Sequence, residues 1–202
     1  SGVSALFTDE FYQRVRQYLA PNGVFGQWLH LYEIDDGLVG SVLAAVHRNF
    51  PSYEVFFTSS VDLLIVASTS ERSPVADWSV AQYDGIQRDT RPFRAITPAT
   101  LESTRLTSRD ALAPLLEDGL PVNSDFYPIL DLAAERARFT RKQADGIVGL
   151  GVDRFPLGLV LRGQRVGFGT ATAPAVQIRR TELQALGAAL RAGVVPVDTV
   201  AP

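Results

Sequence analysis

The sequence contains no methionine and no cysteine, and only two histidines and two tryptophans among its 202 residues. Without cysteine there are no disulfides and no thiolate nucleophiles or metal ligands. With only His30 and His47, a zinc site would need carboxylates for most of its ligands, so no metal is expected. Positive charge is also scarce. Nineteen Lys and Arg face 22 Asp and Glu, giving a net charge of -3 and a pI near 5.4. That removes the electrostatic basis for gripping a phosphate backbone and excludes nucleic acid as an expected partner. No apolar run approaches the roughly 18 to 20 residues that cross a bilayer. No basic, apolar, small-residue signal opens the chain either, so a soluble, cytoplasmic piece is expected. Missing methionine has its own implication. A complete translation product begins with one and a core of this size uses several, so the chain reads as an excised or processed piece of a longer protein.

Several catalytic signatures are missing too: no G-x-S-x-G elbow, Walker loop or H-E-x-x-H occurs. Gly149-Leu150-Gly151 and Gly167-Phe168-Gly169 begin a dinucleotide fingerprint, but Arg154 and Thr172 stand at the third glycine position, so both read as turns.

What is present is 46% hydrophobic and 20% charged, which describes a folded chain of one domain or one and a half. Thr8 is a helix N-cap, with Asp9 and Glu10 in the first turn and Phe11, Val15, Tyr18 and Leu19 on one face. Pro21-Asn22-Gly23 ends that helix. Val24 to Leu31 is an apolar run of strand length, the pattern of a strand buried on both faces of a parallel sheet. Asp35-Asp36 could suggest a carboxylate pair, but their place before a helix makes them caps. That helix carries Leu38, Val42, Ala45, Val46 and Phe50 on its buried face and His47 on its polar face. Tyr53 to Phe57 and Val61 to Ala67 are too close for a crossover, so they form an antiparallel hairpin. This order matches the rear half of a doubly wound sheet with a final antiparallel hairpin, whose ligand would lie near Gln27 to Tyr32.

The blocks Gly2-Val3-Ser4-Ala5-Leu6-Phe7-Thr8-Asp9-Glu10-Phe11-Tyr12, Leu19-Ala20-Pro21-Asn22-Gly23-Val24-Phe25, Gln27-Trp28-Leu29 and Leu31-Tyr32-Glu33 resemble the later half of the spermidine synthase-like family. The likeness is to the long bacterial members in which the domain follows a membrane-spanning part. Phe50-Pro51, Asp62 to Ser68, and Asn123-Ser124-Asp125 to Pro128-Ile129-Leu130 continue it in order, and it ends near Asp131. The resemblance implies a partial Rossmann-like methyltransferase fold over 1–130, followed by a largely helical extension over 131–202. For the parent it implies transfer of an aminopropyl group from decarboxylated S-adenosylmethionine to a polyamine, with a carboxylate taking the amine's proton. In the family the glycine-rich cofactor turn and the catalytic Asp precede the Leu-Phe-Thr block, hence upstream of Ser1. The chain alone is then catalytically silent, carries no catalytic residue and holds no cofactor. The resemblance also makes the parent membrane-attached.

The same resemblance implies a substrate pocket lined by Gln27, Trp28 and Tyr32, with Asp125 as a pocket or helix-capping residue. The two aromatics also suit a core, and His30 reads as an ordinary strand histidine. Ser124 and Phe126 depart from the family's Asn-Thr-Asp-Asp pattern. The alternatives are a non-catalytic binding or assembly domain, or a methyltransferase-like protein using S-adenosylmethionine. The expected partners are the missing front half, a polyamine or other small molecule, and a second copy pairing with the bared edge of strand 24–31, unless the C-terminal third covers that edge.

Elsewhere, residues 69–108 read as short helices in loops anchored by Trp78 and Tyr83. A short or kinked helix spans 111–117 around Pro114, and another spans 130–142, its charged 135–142 stretch a solvated face or a contact for anionic lipid. Residues 157–161 fit either strand or buried helix. Thr181 caps a helix over 181–192, and 194–202 form a tail.

Overall fold

A computed structural model describes residues 3–59, 61–90, 104–116, 119–140 and 143–150. Helix α1 (Asp9–Tyr18) starts at its expected cap, where Thr8 Oγ1 accepts the N–H of Phe11 at 3.2 Å. Its buried stripe is centred on the fully buried Tyr12, flanked by Phe11 and Val15. Tyr18, expected on that stripe, is 85% exposed. It lies about 120° around the helix from Tyr12, outside the core-facing arc. The following turn needs its glycine: a Cβ on Gly23 would sit 2.8 Å from the Ala20 carbonyl oxygen, and Asn22 already occupies the left-handed region at φ 60°.

Strand β1 (Val24–His30), helix α2 (Asp36–Asn49) and the hairpin β2 (Ser52–Ser59) and β3 (Asp62–Ser68) follow as expected. Strand β4 (Arg105–Ser108) completes a sheet of order β1-β3-β2-β4 in which every neighbouring pair is antiparallel. Because β1 and β2 both oppose β3, they run parallel to each other and are joined through α2, with β3 inserted between them.

The expectation that β1 lies between parallel neighbours, buried on both faces, is overturned. Its one neighbour among the described residues is the antiparallel β3, and Val24 and Trp28 are each about half exposed. A mixed apolar run also suits an edge strand with one covered face, and that is the case here. Helix α2 covers that face. Leu38, Val42, Ala45, Val46 and the capping Phe50 are buried as expected, and Val39, Leu43 and Ala44 join them because further helices pack on the other side.

Those helices are α4 (Arg109–Leu116), which contains Pro114, α5 (Ile129–Phe139) and α6 (Asp145–Leu150). The boundary expected at 130/131 falls inside α5, and Leu130, Ala137, Ala144 and Ile147 belong to the same core as α2. Within 69–108, a 3-10 turn (Trp78–Gln82) and helix α3 (Asp84–Thr90) match the reading of short helices, whereas β4 does not. Four residues with a single apolar side chain, Leu106, carry too little alternation to signal a strand. Tyr83, expected as an anchor, is 66% exposed. The expected features at 157–161, 167–169, 181–192 and 194–202 lie outside the described residues. No helix among the described residues is long and apolar enough to cross a membrane.

Candidate functional site at the end of β1

Strand alternation sends Trp28 and His30, and Tyr32 just beyond the strand, to one side. There the Trp28 and His30 rings lie 5.6 Å apart and the His30 and Tyr32 rings stack at 4.6 Å. Trp28 and Tyr32 are about half exposed, so this is an accessible aromatic row and not core. Gln27 lies on the opposite, helix-covered side of the strand, and its Nε2 donates to the Trp28 carbonyl oxygen at 3.0 Å. His30 was not singled out from sequence as a site residue. The signal that marks it is the period-two spacing of rings at 28, 30 and 32.

The strand's exit is pinned. Leu31 N–H donates to Val61 O at 2.7 Å, Ala144 N–H donates to Leu31 O at 3.0 Å, and Tyr32 bridges Gln143. Glu33 follows in the left-handed region at φ 56° and pairs with Arg138 at 3.6 Å. A non-glycine held there costs energy that this anchoring must sustain.

The backbone of β1 is two-sided as well. Thr69 N–H bonds Gly23 O at one end and Leu31 N–H bonds Val61 O at the other, so the odd-numbered residues exchange hydrogen bonds with β3. The N–H and C=O groups of Val24, Gly26, Trp28 and His30 therefore face the edge that no strand pairs among the described residues, where the Gln27 amide takes the Trp28 carbonyl.

Asp125 belongs to a different locus. Its N–H donates to Glu10 Oε2 at 2.9 Å, Ser124 Oγ donates to Glu10 Oε1 at 2.7 Å, and its own side chain is exposed. Burial is the largest influence and works against the Glu10 charge, but these two donors, the Glu10 backbone N–H and the Arg48 charge together outweigh it and hold that carboxyl below its ordinary range. The capping expected of Asp125 is carried out by Asn123, whose Oδ1 accepts Leu130 N–H at 3.0 Å at the start of α5. Among the described residues no hydrogen bond or ring contact joins Asp125 to Gln27, Trp28 or Tyr32.

Of the two aspartates before α2, Asp35 caps it, accepting Leu38 N–H at 3.0 Å. Asp36 is buried and accepts Gly146 N–H at 3.2 Å and Ile147 N–H at 2.8 Å, at the start of α6. Desolvation raises its pKa. The two N–H groups offset this in part, and the charges of Asp145 and Asp35 add to the rise. A Cβ on Gly146 would stand 3.1 Å from both Asp36 oxygens, so the contact depends on that glycine. His47, expected to face solvent, is half-buried with Nδ1 3.0 Å from the Tyr53 hydroxyl. Among the described residues no group of three or more His, Asp or Glu could hold a metal ion. Comparison with protein-family models, curated proteins and solved structures finds no match for this chain.

Proposed function

We propose that the chain is the rear portion of a Rossmann-like transferase domain of the spermidine synthase-like kind. In this reading the parent transfers an aminopropyl group from decarboxylated S-adenosylmethionine to a polyamine. The observation that carries it is the topology: a β1–α2–β2 crossover between parallel strands, with β3 inserted antiparallel between them, is how a doubly wound sheet ends with a final hairpin. The edge of β1 that is unpaired among the described residues supports it further, because a front half would add its strand there. So does the meeting of the two sequence blocks that carry the resemblance, Leu6–Tyr12 and Asn123–Asp125, through Asn123 and Glu10.

In the parent, the Trp28–His30–Tyr32 row at the carboxyl end of β1 would form one wall of the substrate pocket. Half-exposed rings suit the methylene chain and the cationic nitrogens of a polyamine. The attacking amine must lose a proton to become a nucleophile, and the carboxylate that accepts it would be upstream of Ser1. The front half would also supply the cofactor turn.

The test is turnover. The complete parent, given decarboxylated S-adenosylmethionine and putrescine, is expected to release methylthioadenosine, while residues 1–202 alone release none. Failure of the parent to bind or turn over this donor, with S-adenosylmethionine binding instead, would replace the reading with a methyltransferase-like one.

A further inference from the structure

The sheet face opposite α2, which also carries the aromatic row, holds a second feature beside it, for Trp28 lies in register with Leu64. In register, Glu54 lies opposite Val66 and Phe56 opposite Leu64, and these four side chains floor a cavity of about 560 Å³. Val75 and Trp78, from the segment before and within the 3-10 turn, form part of its wall. The volume falls inside the roughly 300–1,000 Å³ span of small-molecule sites. The floor is hydrocarbon except for Glu54, which is half-buried and has no hydrogen bond or ion pair among the described residues.

A half-buried carboxylate bordering an apolar floor offers a cation an opposite charge, with no other partner among the described residues competing for it. An ammonium brings the opposite charge and three donors, and the apolar walls suit an alkyl chain attached to it. We propose that this cavity binds an amphipathic monocation, a primary alkylammonium or a larger molecule presenting one, with its nitrogen on Glu54 and its chain against Phe56, Leu64 and Val66. This inference does not depend on the transferase reading.

The experiment is calorimetric titration of residues 1–202 with octylamine, 1-octanol and octanoate, three probes with the same chain and different heads. Octylamine is expected to bind about fivefold or more tightly than octanol, and octanoate more weakly than octanol. Shortening to hexylamine should loosen binding about fourfold per methylene. Glu54→Gln should bring octylamine to the level of octanol, and Glu54→Lys should make octanoate the preferred probe. If Glu54→Gln lowers the melting temperature, Ser73→Lys on the cavity wall gives a second reading, because a tethered ammonium should weaken octylamine several-fold. The proposal is overturned if none of the probes binds, if octylamine and octanol bind wild type equally, or if the Glu54 and Ser73 variants keep the wild-type order and strength.

Discussion

Asn123 donates its side-chain amide to the Phe7 carbonyl oxygen at 2.9 Å, joining positions 116 apart in sequence. The same residue accepts Leu130 N–H through Oδ1 and Asp9 N–H through its backbone oxygen, all within a fully buried site. One side chain thus fixes the entry to α1 and the start of α5 together.

Asn123→Ala is therefore expected to destabilise the chain by about 2–4 kcal/mol, since it leaves the Phe7 carbonyl and the Leu130 N–H buried without side-chain partners. Urea unfolding measures this. A loss under about 0.5 kcal/mol would mean that water replaces both bonds.

Tyr12 should behave in the opposite way. Its hydroxyl is buried among edge-on rings of Phe11, Phe25 and Phe50 with no hydrogen-bond partner among the described residues, and burial pushes the phenol well above its ordinary range. Tyr12→Phe keeps the packing and removes the orphaned group, so stability should rise by about 1 kcal/mol. Thermal unfolding checks it. A lower melting temperature would show that the hydroxyl has a partner in solution.

Much of this fold was readable because its signals are local. The caps at Thr8 and Asp35, the Pro21–Gly23 turn, the apolar face of α2 and the short β2–β3 connection each follow from a few adjacent residues. What escaped was long-range. An apolar strand does not declare which strand it pairs with, so β1 read as parallel and doubly buried. Nothing near Asp36 announces Gly146 and Ile147, 110 and 111 positions away. At the candidate site, Gln27, Trp28 and Tyr32 were legible as residues near a strand end, but only the pleat reveals that Gln27 faces away from the rings and that His30 completes the row.

Asp36 gives a pH signature. Its folded-state pKa lies above the unfolded value, so between the two the native state binds more protons than the unfolded one, and stability falls as pH rises through that window. Asp36→Asn removes the titration and keeps one acceptor for Gly146 and Ile147. The stability difference between wild type and this variant should shift in favour of the variant as pH climbs from the ordinary aspartate range. A difference independent of pH across that range would contradict the assignment.

The edge of β1 that no described strand pairs is expected to recruit a second copy when residues 1–202 are concentrated, because Val24, Gly26, Trp28 and His30 direct their backbone groups there and, among the described residues, only the Trp28 carbonyl is taken, by Gln27. Gly26→Pro should abolish this while leaving the fold intact. Gly26 N–H points outward, and edge positions tolerate proline. Sedimentation that gives a monomer for both proteins at every concentration would contradict it.

Amide hydrogen exchange along β1, compared between residues 1–202 at low concentration and the complete parent, tests the rear-half reading most directly. In the isolated chain, Phe25, Gln27 and Leu29 should be protected through β3, while Val24, Gly26, Trp28 and His30 exchange freely. In the parent all of these amides should be protected, because a strand from the front half pairs with the open edge. If the even-numbered amides exchange equally fast in both proteins, no such strand exists and the reading is wrong.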